Sequence, residues 1–255
     1  MERIKLSKTG IKDLQNFNWT DYFKYNNSHL IKLDFSNDCL SKSECKLIAP
    51  SIRAFQIGEG SDGAHLLKCA KKFAEKNNYS VYPEIMKWFV LEENRHSKTL
   101  KKYMSINHIK PCSGLWLDNI FRAMRKLSSL ECEIIVLVTA EIIALSYYSA
   151  LSTATSSRLL KTICAQMLHD ELSHVVLQSD TLYKISRTRC CKINSLQRLI
   201  RRLIMSATAY VVWVEYRNLF VKGNFTYKKF KKHCNEYLKE SICIEKTGEL
   251  IKIKS

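Results

Sequence analysis

The segment CEIIVLVTAEIIALSYYSAL, residues 132–151, constrains the fold most because it is apolar on every face of a helix. A helix of this kind either crosses a membrane or lies at the centre of a helical core. The segment contains Glu133 and Glu141, and a carboxylate in the middle of a lipid-facing helix is costly. We therefore predict a buried central helix and no transmembrane segment.

Residues that break helices are rare in this sequence. Its 255 residues include only 7 Gly and 3 Pro, and 46% of them are hydrophobic. A chain of this length and composition can bury one large core. We predict an all-α fold and a single domain over residues 1–255, with a four-helix bundle in residues 54–186 and additional basic helices in residues 187–255.

Apolar periodicity and turn residues predict six helices. Ser128 and Glu131 have the spacing of a capping box at the start of the third helix, and Gly223 follows the fifth as a stop. The first fifty residues have no clear period, so no element is predicted there. The predicted helices cover approximately residues 54–76, 83–104, 128–151, 158–178, 195–221 and 227–239.

The N-terminal sequence MERIKLSKTGIKDL has no continuous apolar stretch and no small-residue cleavage site, so it does not resemble a secretory signal. The 10 cysteines include no C-x-x-C pair, which argues against a cysteine-rich zinc site or a rubredoxin-type iron site. We expect a cytoplasmic protein with reduced thiols.

The formal net charge is +17, and basic residues cluster at residues 97–102, 187–202 and 227–233. Such clusters attract polyanions, for example nucleic acid, anionic lipid or an acidic carrier protein. The alternative is that the lysines and arginines simply cover solvated helix faces.

Two Glu-x-x-His motifs are the main candidates for chemistry: Glu93 with His96 in LEENRHS, and Glu171 with His174 in HDELSHV. Random placement of the Glu and His residues would give about 0.4 such spacings in a chain of this composition. Residues three apart on a helix lie on the same side. Each pair can therefore approach a common metal ion.

Helix hairpins supply further carboxylates, because two antiparallel helices bring together residues equidistant from their turn. Glu59 mirrors Glu93 through a turn near residue 76, and Glu141 mirrors Glu171 through a turn near residue 156. Four inward carboxylates and two imidazoles form the ligand set of a two-metal carboxylate bundle. The predicted metal ligands are Glu59, Glu93, His96, Glu141, Glu171 and His174.

An acid precedes the glutamate of each motif. A histidine that binds a metal usually donates its other ring N–H to a carboxylate, which fixes the tautomer of the ring. We predict that Asp170 accepts from His96 and that Glu92 accepts from His174, so that each acid serves the other motif.

Three further residues are candidates. Asp62 and His65 continue the Glu59 stripe at steps of three, so each is predicted either as an extra ligand or proton relay or as an ordinary helix-face residue. Tyr148 lies about two turns beyond Glu141, which makes it a candidate catalytic residue, with core packing as the alternative. His169 is predicted to point away from the metals.

The ordered ligand set resembles the ferritin-like di-iron carboxylate superfamily over about residues 54–180. EENRH is similar to the second-helix motif of the soluble acyl-carrier-protein desaturases and DELSH to their fourth-helix motif, and rubrerythrin-like proteins are also similar. The resemblance implies a bundle with a long crossover between Met104 and Ser128. It also implies two iron ions as cofactors, with Mn/Fe or Mn/Mn as alternatives. It implies no substrate, because the sequence outside the motifs is not similar.

Three functions are compatible with this pattern. The first is a di-iron or Mn/Fe oxidase, hydroxylase or desaturase that uses O2 or peroxide and an external electron donor. Its organic substrate would be small or carrier-bound, and the basic clusters would contact an acidic carrier protein or RNA. The second is a ferritin-like or rubrerythrin-like protein that handles iron or peroxide without an organic substrate. The third is a basic nucleic-acid-binding protein. A homodimer is expected.

Overall fold

The computed structural model describes residues 3–11, 13–36, 38–60, 63–112, 129–188 and 195–250. These residues form eight α-helices, one 3-10 helix (Leu6–Thr9) and no β-strand, which confirms the all-α class. The α-helices are α1 (Trp19–Ser28), α2 (Lys42–Glu59), α3 (Ala64–Asn77), α4 (Tyr82–Ile106), α5 (Leu130–Ala154), α6 (Arg158–Arg187), α7 (Ser195–Lys222) and α8 (Tyr227–Thr247).

The apolar segment forms α5, which lies at the centre of the helices. It packs against α3, α6, α7 and α8. Within the described residues α5 alone is long and apolar enough to cross a membrane, but 89% of its most apolar window is buried inside the protein. Neighbouring helices thus cover most of the apolar surface that would otherwise need lipid.

Three further contacts position the predicted ligands. Helix α2 packs against α4, α4 packs against α6, and α6 makes its most extensive contact with α5. The turn between α5 and α6 covers residues 155–157, where the hairpin argument predicted it. Ser157 caps α6, because its hydroxyl accepts a hydrogen bond from the Leu160 N–H at 2.9 Å.

The predicted continuous helix over residues 54–76 is wrong. Helix α2 ends at Glu59, Gly60 has an extended backbone, and α3 begins after Gly63. Gly63 has a φ of +64°, and a Cβ at this position would lie 2.6 Å from a methyl carbon of Val90. Only glycine fits this left-handed, close-packed position. Gly60 and Gly63 therefore separate two helices instead of lying inside one.

This break also changes the path of the first hairpin. The turn near Asn77 and Asn78 joins α3 to α4, so it does not connect the helix of Glu59 to that of Glu93. Glu59 instead comes close to Glu93 because α2 packs directly against α4. Glu59 and Glu93 are therefore neighbours, as predicted, but through the packing of two helices and not through a hairpin turn.

The start of α5 differs from the predicted capping box. The helix begins at Leu130, and its N-cap residue Ser129 makes no side-chain capping bond in the described structure. Ser128 lies outside the described residues, as do residues 113–127 of the predicted crossover.

Part of the basic charge of α7 is internal. Arg201 is buried and forms an ion pair with Glu245 of α8. Its guanidinium is therefore not on the surface that would contact a polyanion. The expected single domain and its division at residue 187 stay predictions.

Candidate metal centre

The six predicted ligands lie together on four helices. Glu59 ends α2, Glu141 lies on α5, and the two Glu-x-x-His motifs lie on α4 and α6. Five of the six residues are buried, and the side chain of Glu93 is 13% exposed. A group of this polarity is costly to bury unless the charges are paired or coordinate a metal.

The six residues form two overlapping groups, in each of which the ligand atoms lie within 4.8 Å of one another. Glu93 and Glu171 belong to both groups, so the two groups adjoin each other. The first group adds Glu59 and His96 to this pair, and the second adds Glu141 and His174.

The Nδ1 atoms of both histidines face the shared carboxylates. His96 Nδ1 lies 3.6 Å from Glu93 Oε1 and 3.4 Å from Glu171 Oε1. It also lies 3.5 Å from Glu59 Oε2. His174 Nδ1 lies 3.1 Å from Glu93 Oε1 and 3.3 Å from Glu171 Oε2. Each ring therefore presents one nitrogen to the space between the carboxylates.

Three buried ligand atoms have no hydrogen-bond partner among the described residues: Glu93 Oε1, His96 Nδ1 and Glu171 Oε1. Buried polar atoms are nearly always paired, so each exception requires an explanation. All three belong to one ligand group. A cation in that group would satisfy them together.

The other ring nitrogen of each histidine contacts an acid from the opposite motif. His96 Nε2 lies 2.8 Å from Asp170 Oδ2, and His174 Nε2 lies 3.0 Å from Glu92 Oε2. This is the crossed pairing that the sequence suggested. Burial lowers the pKa of each ring, but the hydrogen-bonded carboxylates outweigh burial and raise the pKa of both histidines well above the usual value in the metal-free protein. If a metal took Nδ1, these acceptors would keep the remaining proton on Nε2.

Two further residues, which were not predicted, each donate to both of these acids. The Arg95 guanidinium donates to Glu92 at 3.0 Å and to Asp170 at 2.8 Å, and it neutralises one of the two negative charges. The Asn26 amide on α1 donates to the same two acids. Arg95 stands inside the quoted motif, whereas no sequence signal connects Asn26 to it.

The carboxylates strongly affect one another's protonation. Burial, with the neighbouring carboxylates of Glu59 and Glu171, raises the pKa of Glu93 to about 8. Burial also raises the pKa of Glu141 well above its usual range, again with help from the carboxylates of Glu171 and Glu93. Without a cation, this cluster therefore holds protons at neutral pH.

Of the other candidates, Tyr148 reaches the cluster. Its buried hydroxyl donates to Glu59 Oε1 at 2.6 Å. The side chain of His169 is 55% exposed and turns away from the six ligands, although its Nδ1 lies 3.1 Å from Asp170 Oδ1. Asp62 lies outside the described residues. His65 is not part of either four-residue group and contacts Glu133 instead.

Comparisons with protein-family models, with curated proteins and with solved structures found no match for this chain. The structure itself shows an all-helical protein with buried carboxylate and histidine groups that could bind metal. The resemblance to a family rests on the motif residues and on their arrangement.

Proposed function

We propose that this protein binds two metal ions, most simply two iron ions, and is a non-haem oxidoreductase that activates O2. The supporting observation is the pair of overlapping ligand groups that share Glu93 and Glu171. Two independent metal sites would not need to share residues. Shared residues are instead expected of two ions that lie side by side.

The ligand chemistry fits two divalent cations. Four carboxylates can balance the charge of two such ions, and the set contains carboxylate oxygens and imidazole nitrogens without a thiolate. Hard and borderline ions such as iron and manganese prefer these donors. The three unpartnered atoms of Glu93, His96 and Glu171 provide an independent reason to place a cation in the first of the two groups.

When bound, two ferrous ions supply two electrons to O2, and an organic substrate that undergoes a two-electron oxidation supplies the other two. The chain contributes binding and orientation. Asp170 and Glu92 hold the protons of the two histidines on Nε2. The rings of Phe23 and Phe89 pack near His174, with ring centroids 6.3 and 4.8 Å away, and exclude water from this side.

Tyr148 is placed to hold a proton at the edge of the site. Its hydroxyl donates to Glu59, and burial raises the pKa of Tyr148 well above its usual range, with the carboxylates of Glu59 and Glu171 adding to the effect. The phenol therefore stays protonated. We propose that Tyr148 orients Glu59. It remains the candidate catalytic residue of the site.

For the fold, we propose a ferritin-like bundle of α2, α4, α5 and α6. These four helices carry all six ligands. Such bundles place ligands from four helices in their centre and use a long crossover connection. The chain between α4 and α5 is long enough to provide that connection.

The remaining parts of the proposal extend it to the substrate, the electron donor and the partners. The substrate is a small or carrier-bound organic molecule, and an external reductant restores the ferrous state. The basic clusters dock an acidic carrier protein or RNA. We further propose that the protein acts in the cytoplasm as a homodimer and that α5 is a buried core helix and not a transmembrane segment.

The test is metal stoichiometry and O2 uptake after anaerobic loading with ferrous iron. The wild type should bind two irons per chain and consume O2 rapidly. Glu93→Gln, which alters a shared ligand, should lower the affinity for both ions. Glu59→Gln and Glu141→Gln, which each alter one group, should mainly weaken a single ion.

Circular dichroism of each variant shows whether the helices remain intact. Absence of stoichiometric metal in the wild type would refute the proposal, and so would binding that does not respond to Glu93→Gln. Rapid consumption of hydrogen peroxide without O2 uptake would instead support the peroxide-handling function. Salt-sensitive nucleic-acid binding without metal would favour the third function.

A further inference from the structure

A second group of metal-binding side chains lies outside the six-residue cluster. His65 and Cys69 on α3 and Glu133 on α5 place one ligand atom each within 4.8 Å of the others. From this geometry we propose a separate binding site for a single zinc ion, with His65, Cys69 and Glu133 as its protein ligands.

The local structure explains why these residues meet. His65 and Cys69 are four residues apart on a helix, so they lie on the same face. Glu133 lies in the first turn of α5, and α3 packs against α5. The site therefore joins the helix that follows the glycine break to the central helix of the protein.

The distances are close to those of a tetrahedral zinc site. Usual zinc–ligand bond lengths place neighbouring ligand atoms about 3.4–3.6 Å apart. Here, His65 Nδ1 lies 2.9 Å from Glu133 Oε2. Cys69 Sγ lies 3.8 Å from His65 Nδ1 and 3.9 Å from His65 Nε2. Shifts of about half an ångström would bring the three atoms onto a common ion.

The donor set and the exposure favour zinc. A thiolate, an imidazole and a carboxylate are all zinc ligands, and the thiolate distinguishes this site from the carboxylate-rich cluster. The side chain of Glu133 is only 4% exposed, whereas that of His65 is 35% exposed. The carboxylate thus anchors the ion from inside, and the open side admits the ion and a water as fourth ligand.

The two sites are distinct although they share α5. Glu133 precedes Glu141 by eight residues, which corresponds to about 12 Å along a helix. None of the six ligands of the proposed di-metal centre is a cysteine. Failure of either site therefore leaves the other testable.

The test is titration of the metal-free, full-length protein with Co²⁺, followed by displacement with Zn²⁺. A cysteine ligand gives a thiolate-to-cobalt charge-transfer band in the near ultraviolet, whereas the carboxylate and histidine cluster gives no such band. The wild type should show one thiolate-bound Co²⁺ per chain. Zn²⁺ should abolish the band.

Variants identify the ligands. Cys69→Ser should remove the band, and His65→Ala should weaken Co²⁺ binding at this site by at least the 10–100-fold typical for loss of a residue that supports a ligand. Cys243→Ser is the matched control on another helix and should leave the band unchanged. Glu141→Gln, which tests the di-metal centre, should also leave it unchanged.

The proposal is overturned if the wild type gives no band or if the band persists in Cys69→Ser. His65 is partly exposed, so His65→Ala is expected to keep the fold and provides the deciding variant if Cys69→Ser does not fold. Unchanged Co²⁺ affinity in folded His65→Ala would likewise overturn it.

Discussion

Replacing Asp170 with asparagine is the most informative perturbation of the hydrogen-bonded layer around the candidate metal centre. The buried Asp170 carboxylate contacts five donor groups at 2.8–3.1 Å. Asparagine has the same shape but is neutral, and one of its two terminal groups donates. The donors belong to Asn26, Arg95, His96, Gln166 and His169.

One orientation of the new amide places its NH2 against Arg95 and His96, which both donate to Oδ2 of the native aspartate. His96 would then either lose its acceptor or move its proton to Nδ1. The second change removes the lone pair that faces the metal cluster. Both changes weaken the first ligand group.

The opposite orientation places the NH2 against the amides of Asn26 and Gln166. Neither amide can turn over without cost. Asn26 also donates to Glu92, and the Gln166 carbonyl accepts from the backbone N–H of Ile31 at 2.8 Å. A donor therefore faces another donor in either orientation.

We expect the free energy of unfolding of metal-free Asp170→Asn to fall by about 3 kcal/mol, the lower end of the range for breaking a buried ion pair. The lower end applies because Arg95 is 21% exposed and keeps Glu92 as a partner. Metal affinity at the His96 group should fall by about 10–100-fold, as for other losses of an acceptor behind a ligand.

Urea unfolding of the metal-free protein measures the first quantity, and anaerobic calorimetric titration with ferrous iron measures the second. The matched control is Asp180→Asn. Asp180 is also buried on α6, but it contacts Trp19 and Lys184 rather than a predicted ligand. The control should lose stability and keep metal affinity. Wild-type metal affinity in Asp170→Asn, or an equal loss in both variants, would refute the reasoning.

Three other predictions concern stability. Gly223→Ala should lower the free energy of unfolding by about 1–3 kcal/mol, because a Cβ there would lie 2.5 Å from the backbone oxygen of Ala150. Gly58→Ala, where the Cβ meets no atom within 4 Å among the described residues, should raise it by about 0.5–1 kcal/mol. Urea unfolding measures both changes. A Gly223→Ala variant that is more stable than Gly58→Ala would contradict both predictions. Burial, and then the charge of Arg3, lower the pKa of His233 to about 4. The unfolded chain takes up a proton below the ordinary value of 6.5, so stability falls as the pH falls from about 6.5 to 4. His233→Leu should flatten this part of the pH–stability curve, and an unchanged slope would contradict the assignment.

The part of the site that could be predicted depends on local helical geometry. Glu93 with His96, and Glu171 with His174, meet because three residues make nearly one helical turn, whatever surrounds the helix. The pairing of Glu141 with Glu171 followed from the short turn between α5 and α6. Both relations are set by short stretches of sequence.

The path of α2 and α3 could not be predicted from apolar periodicity, because the same apolar period continues across the break. What ends α2 is the backbone at Gly60 and the contact of Gly63 with Val90, which is distant in sequence. A local signal at the other end was overlooked. Ser41 caps α2 by accepting from the Glu44 N–H at 3.2 Å, which is the S-x-x-E spacing of a capping box.

The other contacts of the site join residues that are far apart in the sequence, which is why they could not be predicted. Asn26 reaches Glu92 and Asp170 only because α1 packs against α4, and the segment around Asn26 has no pattern that indicates this contact. His65 was predicted from its step of three after Glu59, but the break after Glu59 directs it to Glu133. Residue spacing predicts neighbours within a helix and fails where a turn redirects the chain.

The crossed hydrogen bonds have a consequence for protein design. Glu92 stands beside Glu93 on α4 but supports His174 on α6, while Asp170 on α6 supports His96 on α4. Grafting one five-residue motif onto a helix of another protein would transfer ligands without their acceptors. The unit to transplant is the pair of helices in its native register, because sliding one helix by a single turn, about 5.4 Å, would separate both histidines from their acids at once.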